Sequence, residues 1–174
     1  MIALSNTVLA YGGLAMMGAS AVFVFDYYTS KSLAPFIRRF GLHLAFLVTL
    51  CAMTLTLVYS EIFGFVPCGL CWSQRIFMFP QLFLTGAALY FRDALVARYG
   101  IVLSIPGLLF ALYQHYLQMG GSEFIVCPTS GGGDCAERIL FAFGFMTFPL
   151  LAASLFIFLI VLYAYYLSAT KKVS

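Results

Sequence analysis

Five cysteines carry the chemistry that this sequence can perform, and two of them form a Cys-x-x-Cys motif. Cys68 and Cys71 lie between two long apolar runs, with Arg75 four residues after the second cysteine. Cysteines at this spacing form either a small disulfide ring or a reactive dithiol, and such thiols commonly exchange readily. The motif therefore indicates thiol–disulfide chemistry at the edge of an apolar segment.

A second pair, Cys127 and Cys135, lies in the longest polar stretch of the chain, residues 119–138. Pro128, Ser130 and three consecutive glycines accompany the pair, which is typical of a flexible loop. Such a loop can carry one disulfide toward another, or it can hold a static disulfide that orders the loop. Two pairs favour a relay over two static disulfides. The seven residues between the second pair are unlike a short zinc knuckle, so no metal is expected.

The composition makes the lipid bilayer the solvent for this chain. Of its 174 residues, 63% are hydrophobic and 9% are charged, whereas an ordinary soluble domain carries about 25% charge. Too little polar surface remains to cover a water-soluble globule, so we expect an integral protein in contact with membrane lipid. The net charge of +3 includes no basic tract, which argues against a nucleic-acid partner.

Five apolar runs are long enough to cross a membrane as helices, because about 20 residues span the hydrocarbon core. We predict an all-α membrane protein with spans at 7–25, 41–59, 71–91, 99–118 and 148–167. The apolar residues just before the last span, 139–147, are expected to lie partly along the interface.

Basic residues give the predicted orientation, because cytoplasmic loops are enriched in Lys and Arg. Seven of the nine basic residues fall in alternate breaks between the spans: Lys31, Arg38, Arg39, Arg92, Arg98, Lys171 and Lys172. These breaks are expected in the cytoplasm, with the N-terminus outside and the C-terminus inside. Both cysteine pairs then face the extracytoplasmic side, where disulfides persist.

The electrons that a thiol pair releases require an acceptor. The sequence contains no Rossmann glycine fingerprint and no Cys-x-x-Cys-His motif for haem attachment. A lipid-soluble quinone needs no such motif, only an apolar cleft between helices near the dithiol. A quinone is therefore the acceptor most compatible with this sequence.

Two polar residues are candidate partners of the dithiol. Arg75 lies one helical turn after Cys71 and can stabilise a thiolate or an anion on a bound cofactor; an arginine at the membrane interface is the alternative. His115, at the outer end of the fourth span, can hydrogen-bond a quinone carbonyl or move a proton; a structural histidine is the alternative. Cys51 lies inside the second span and is expected to be buried and inert.

Together these motifs resemble the bacterial DsbB/BdbC-type thiol:quinone oxidoreductases, which reoxidise thioredoxin-like disulfide donors. Three segments carry the resemblance in the family's order: 67–75 (PCGLCWSQR), 113–118 (YQHYLQ) and 133–138 (GDCAER). The resemblance covers about residue 41 to the end and implies a four-helix bundle. We therefore predict a redox domain at 41–174 and an extra N-terminal membrane helix with its cytoplasmic connection at 1–40.

The resemblance also implies a function in the bacterial inner membrane. Cys127 and Cys135 would exchange with a soluble, extracytoplasmic thioredoxin-fold oxidase of the DsbA type, with Cys127 in the mixed disulfide. Cys68 and Cys71 would then reoxidise the loop pair and pass two electrons to ubiquinone or menaquinone from the membrane pool.

Within that scheme each candidate residue has an implied role. Cys71 would be the thiolate next to the quinone ring, Arg75 its charge partner and His115 a candidate quinone contact. All four cysteines of the two pairs would be catalytic.

Two other functions remain open from the sequence. A vitamin K epoxide reductase-like enzyme also couples membrane cysteines to quinones, although in that family the loop pair precedes the Cys-x-x-Cys. A non-catalytic membrane scaffold with two structural disulfides would bind no quinone.

Overall fold

A computed structural model describes residues 2–123, 127 and 133–171 of the chain. It contains five long helices: α1 (Ile2–Tyr28), α2 (Ala34–Leu57), α3 (Gly69–Phe91), α4 (Val96–Gln118) and α5 (Phe148–Lys171). A π-helical turn, Val58–Ile62, continues α2. A two-stranded antiparallel hairpin, β1 (Phe141–Ala142) and β2 (Met146–Thr147), precedes α5. The predicted all-α class is confirmed, with this hairpin as a small addition where residues along the interface were expected.

Each predicted span corresponds to one helix. Four helices of the described chain are long and apolar enough to cross a membrane: α1, α2 with its π-helical turn, α4 and α5. The remaining helix, α3, has 23 residues, about 34 Å at the usual helical rise, but it carries Gln74, Arg75 and Gln81. The crossing of α3 and the orientation of the protein remain predictions.

Helices α2, α3, α4 and α5 form a closed bundle in which each packs on the next and α5 returns to α2. Helix α1 lies outside this ring and packs on α5. The predicted arrangement of four helices plus an extra N-terminal helix is therefore confirmed. The most buried side chains come from α5, where Phe156, Leu159, Leu162 and Tyr163 are fully enclosed. Helix α5 is the central packing element because it faces both the bundle and α1.

The approach of α4 to α5 depends on two glycines. A Cβ atom on Gly100 would collide with the ring of Tyr163, and one on Gly107 would collide with the ring of Phe156. Small residues allow membrane helices to pack closely, because lipid provides no hydrophobic force to drive helices together. Two large aromatic rings thus fill the space that the two glycines leave.

Asp26 joins the C-terminal end of α1 to the rest of the protein. Its buried carboxylate accepts hydrogen bonds from the backbone N–H groups of Ser32 (3.1 Å) and Leu33 (3.0 Å), just before α2 begins. It also accepts a hydrogen bond from the hydroxyl of Tyr165 on α5. One carboxylate therefore satisfies free donors at the start of α2 and ties three helices together.

The prediction that Cys51 is buried is wrong. Cys51 is exposed on the outer face of α2, together with Leu47 and Leu55 one turn before and after it. In a membrane protein an apolar residue can face lipid as readily as the core, so apolar surroundings in the sequence do not predict burial.

The glycine contacts predict that Gly107→Ala destabilises the protein, whereas Gly12→Ala does not. The added methyl group at position 107 meets the enclosed ring of Phe156, and such overpacking costs about 1–3 kcal/mol. At Gly12, the space that a Cβ would occupy has no described atom within 4 Å apart from the adjoining residues and nearby backbone of its own helix. Reversible unfolding in mixed micelles measures both; equal stabilities of the two variants would contradict this account of the α4–α5 contact.

Candidate active site

The Cys-x-x-Cys pair lies at the start of α3. Cys68 is the N-cap residue, and its sulphur accepts a hydrogen bond from the backbone N–H of Cys71 (3.4 Å). Both cysteines are free, and their sulphur atoms are 3.0 Å apart. Cys71 lies in the first turn of α3, at the start of the span predicted for residues 71–91. The positive end of the helix dipole there favours negative charge on its sulphur.

Two glutamines that the sequence analysis did not identify direct a hydrogen-bond donor at the thiols. The side-chain Nε2 of Gln114, on α4, lies 3.1 Å from the sulphur of Cys68 and 3.2 Å from that of Cys71. Gln74, one turn after Leu70, donates its own Nε2 to the Gln114 Oε1 at 2.6 Å. The Gln114 amide therefore presents its Nε2 to both sulphurs, while its Oε1, bonded to Gln74, also lies 3.7 Å from the Cys71 sulphur.

The pair is asymmetric in its protonation. The hydrogen bond with Cys71, followed by burial, raises the pKa of the Cys68 thiol above its ordinary value. Cys68 therefore keeps its proton at neutral pH and can donate it in a hydrogen bond to the Cys71 sulphur. A hydrogen bond to a charged group favours that charge, so the proton that Cys68 keeps makes Cys71 the better thiolate of the two.

The second pair, Cys127 and Cys135, forms a disulfide with a Cα–Cα distance of 6.2 Å. The two residues are 4% and 0% exposed, and they belong to the same buried apolar cluster as Cys68 and Leu117. The structure thus brings the four predicted catalytic cysteines together. Among the described residues, no group of three or more His, Cys, Asp or Glu side chains is arranged to hold a metal ion.

Gly133 allows the segment that carries Cys135 to approach the Cys-x-x-Cys. A Cβ atom on Gly133 would lie 2.8 Å from the backbone carbonyl oxygen of Val66, two residues before Cys68. A larger residue would push the two segments apart. The last of the three consecutive glycines therefore has a packing role; its two predecessors and Pro128 and Ser130 lie outside the described residues.

A cavity of about 140 Å³ opens beside the Cys-x-x-Cys pair. Its lining combines apolar side chains with a few polar ones from all four helices of the bundle and from the segments before α3 and α5. The residues that matter for its chemistry are Tyr59, Cys68, Cys71, Arg75, Gln114, Gln118, Glu137, Ile139 and Phe148. An apolar pocket with a few convergent polar groups is the usual form of a small-molecule site. Part of its wall is the π-helical turn after α2, a geometry that is frequent at functional sites.

Arg75 belongs to the wall of this cavity. Its side chain is 9% exposed, its Nη2 donates to the carbonyl oxygen of Thr56 (2.9 Å), and its guanidinium faces the ring of Trp72 at 5.2 Å. An arginine that only reaches for the membrane surface would be exposed. Arg75 is instead held one turn from Cys71 with donors left over, because a guanidinium carries five N–H groups.

Gln118 provides the cavity with a free acceptor. Its Nε2 donates to the backbone carbonyl of Glu137 (2.7 Å), and because a carbonyl only accepts, the Oε1 is the other atom of the amide. This buried Oε1 has no hydrogen-bond partner within the described part of the chain. Buried polar atoms are nearly always paired, and of the two residues with an unpaired atom Gln118 lines the cavity whereas Tyr163 does not, so the Gln118 Oε1 is a candidate acceptor for a ligand bound there.

His115 lies outside the lining of this cavity. Its Nδ1 is 2.8 Å from the hydroxyl of Thr147 in β2, and it is not among the described residues that line the cavity. Successive residues of a helix point about 100° apart, so Gln114 and Gln118 share the cavity face of α4 while His115 turns away. The contact of His115 with a quinone remains a prediction.

The fold and site define a multi-pass membrane protein with two thiol–disulfide pairs beside an apolar cavity. The profile of the family described as disulfide bond formation protein DsbB matches residues 38–167. The chain belongs to this family and is a multi-pass protein of a bacterial membrane. No solved structure matches the chain significantly.

Curated relatives agree with that assignment. The chain is 34% identical over 127 residues to probable disulfide formation protein C 2 of Bacillus anthracis, covering 72% of this chain and 89% of the relative. It is 36% identical over 121 residues to disulfide bond formation protein C of Bacillus subtilis, covering 69% and 87%. It is 37% identical over 122 residues to a probable disulfide formation protein of Chlamydia caviae, covering 70% and 87%.

The amide contacts predict that Gln114→Met slows alkylation of Cys71. The variant keeps the side-chain volume but removes the N–H groups that face the sulphurs, and hydrogen bonds to charged groups contribute about 1.5–3 kcal/mol. We expect the rate of Cys71 alkylation by iodoacetamide at pH 7, followed by peptide mass spectrometry, to fall at least about tenfold. Ser73→Ala, which removes a hydroxyl bonded to the Gly69 carbonyl, is the matched control and should leave the rate unchanged. Equal rates for Gln114→Met and wild type would exclude a role for the amide.

Proposed function

We propose that this protein is a membrane thiol:quinone oxidoreductase that reoxidises a soluble, extracytoplasmic thioredoxin-fold oxidase of the DsbA type. The observation that carries the proposal is the joint burial of two cysteine pairs beside an apolar cavity with a fixed donor and a free acceptor. Membership of the family and the names of the relatives support the disulfide half of this function. The proposal that a quinone is the electron acceptor is based on the cavity.

The residues of the cavity fit a quinone. The ring of a quinone is apolar and flat, and its two oxygens accept hydrogen bonds when oxidised and donate them when reduced. Arg75 offers donors on one wall, and the unpaired Oε1 of Gln118 accepts on another. Bound there, ubiquinone or menaquinone would supply an acceptor for two electrons and two protons. Cys71 and Arg75, which line the cavity, would hold it, whereas a contact with His115 would require the quinone to extend beyond the cavity lining.

The cysteines of the chain pass electrons by two exchanges. A dithiol of the soluble partner is oxidised to a disulfide while the Cys127–Cys135 disulfide is reduced, through a mixed disulfide at Cys127. The loop dithiol is then reoxidised while a Cys68–Cys71 disulfide is reduced. Each exchange consists of two successive attacks of a thiolate on a disulfide sulphur, through a mixed disulfide, and in each attack the proton of the attacking thiol goes to the thiolate that leaves.

The described arrangement corresponds to the state after the second exchange. The loop pair is a disulfide, and Cys68 and Cys71 are free thiols ready to lose two electrons and two protons. The Gln114 amide and the protonated Cys68 support negative charge on Cys71 in that state. Burial of Cys127 and Cys135 suits exchange within the protein, whereas exchange with a soluble partner requires the Cys127 sulphur to become exposed.

This proposal predicts that Cys71→Ser abolishes quinone reduction by a reduced thioredoxin-fold partner. The test uses purified protein in micelles with decylubiquinone and menadione as acceptors, followed spectrophotometrically. Cys51→Ser is the matched control and should keep wild-type rates, because Cys51 lies on the lipid-facing side of α2.

The outcomes separate the three candidate functions. Activity that survives Cys71→Ser would refute the relay. Efficient reduction of vitamin K epoxide would favour the reductase alternative. A wild-type protein that reduces no quinone, carries none on solvent extraction and keeps its cysteines oxidised under mild reductant would be a scaffold.

The proposal also requires the cysteine pairs to face outward, which single added cysteines can test. Ser122→Cys, exposed after α4, should react with a membrane-impermeant maleimide in intact cells. Thr29→Cys, exposed between α1 and α2, should react only after the membrane is permeabilised. The opposite labelling pattern would invert the predicted orientation and place the pairs in the cytoplasm.

A further inference from the structure

The N-terminal helix α1 is the part of the fold that the proposed function leaves without a role. It precedes the stretch that matches the family, residues 38–167. A generic membrane anchor would contact the bundle only through apolar surface. Helix α1 instead makes polar contacts with two residues that line the cavity.

Asn6 connects α1 to both of these residues. The hydroxyl of Tyr59 donates to the Asn6 Oδ1 at 2.6 Å, and the Ser5 hydroxyl lies 2.9 Å from the same Tyr59 oxygen. The Asn6 Nδ2 donates to the backbone carbonyl of Ile139 at 3.3 Å. A carbonyl only accepts, so the amide orientation of Asn6 is determined by its two partners. Tyr59 and Ile139 both line the cavity, although they lie far apart in the sequence.

Apolar side chains of α1 and its neighbours also pack against this part of the cavity wall, on the side away from the cavity. Ala10 is fully buried in a cluster with Leu140, Met146 and Leu151, and Phe148 packs against that cluster. Phe148 also lines the cavity, and its ring meets that of Tyr59 edge to face, with centroids 4.7 Å apart. Helix α1 therefore lies directly behind three lining residues.

We infer that α1 forms the supporting wall of the acceptor cavity and that Asn6 is a positioning residue that sets the affinity for the lipid-soluble acceptor. Asn6 is not itself a lining residue. It acts by holding the Tyr59 ring and the Ile139 backbone at a fixed separation, so that the cavity keeps its shape between α2 and the segment before α5. The inference rests on the proposed function, because the ligand that it concerns is the quinone.

The test measures quinone binding apart from turnover. Trp72 is the single tryptophan of the chain and lies between Cys71 and Arg75 in the sequence, so quenching of its fluorescence by decylubiquinone reports the Kd. Asn6→Ala should raise the Kd about two- to tenfold, the range expected for a lost hydrogen bond. The KM for quinone should rise by the same factor, while kcat and the KM for the thiol partner stay within about twofold.

Tyr59→Phe provides an independent variant because it keeps the ring in the cavity wall and removes only the hydroxyl. It should also raise the Kd, and the double variant should be less than additive, because both changes break one contact. Ser20→Ala is the control in α1, since the Ser20 hydroxyl donates to the Met16 carbonyl within the helix, and it should leave the Kd unchanged.

Each outcome of these binding measurements supports or overturns a stated claim. Unchanged Kd values in both Asn6→Ala and Tyr59→Phe, with a wild type that binds quinone, would overturn the inference and leave the proposed function intact. An equal rise in Ser20→Ala would also overturn it, because the effect would then come from general loosening of α1. A wild type that neither binds nor reduces quinone would overturn the proposed function itself.

Discussion

Every polar group inside this bundle must find its partner within the protein, because lipid offers none. The requirement explains why the buried polar side chains occur in connected sets. Gln74 occupies the oxygen of Gln114, whose N–H groups are then left for the thiols. Asp26 on α1 accepts hydrogen bonds from the residues just before α2 and from α5 in the same manner. In each set, the hydrogen bond that one polar group makes determines which way the neighbouring polar group points.

Two buried side-chain atoms of the described residues lack a partner, the Tyr163 hydroxyl and the Gln118 Oε1, and only Gln118 belongs to the cavity lining. The Oε1 of Gln118 is buried beside the cavity without a partner among the described residues, while the Nε2 of the same amide is tied to the segment that carries Cys135. A single side chain therefore connects the segment that carries Cys135 to the cavity proposed for the acceptor. Movement of that segment would alter the acceptor site, and a ligand in the site would in turn favour one position of the segment.

Much of this architecture follows from local features of the sequence. Apolar runs and basic breaks predict the helices, and cysteine spacing predicts the pair at the start of α3, because each depends on neighbours along the chain. The contacts of Gln114, Gln118 and Asn6 depend on which helix faces meet. The position of a single glutamine or asparagine within an apolar run does not predict which residue it will contact. One signal was available, since Gln114 and Gln118 are one turn apart and share a face that the adjacent His115 does not. Cys51 shows the converse limit, because apolar surroundings do not distinguish lipid from core.

The polarity of α3 has a consequence for how the protein enters the membrane. A helix with Gln74, Arg75 and Gln81 in 23 residues partitions into lipid less readily than its neighbours, since Arg alone costs about 2.5–3.5 kcal/mol at mid-depth on insertion scales. In the folded bundle the Arg75 guanidinium is bonded to the Thr56 carbonyl of α2, and Gln81 accepts from Ser104 of α4. If α3 crosses the membrane as predicted, the helix that starts at the reactive cysteines is the one whose polar side chains need partners from its neighbours. Its insertion would then be favoured by contacts with α2 and α4, which provide partners for Arg75 and Gln81.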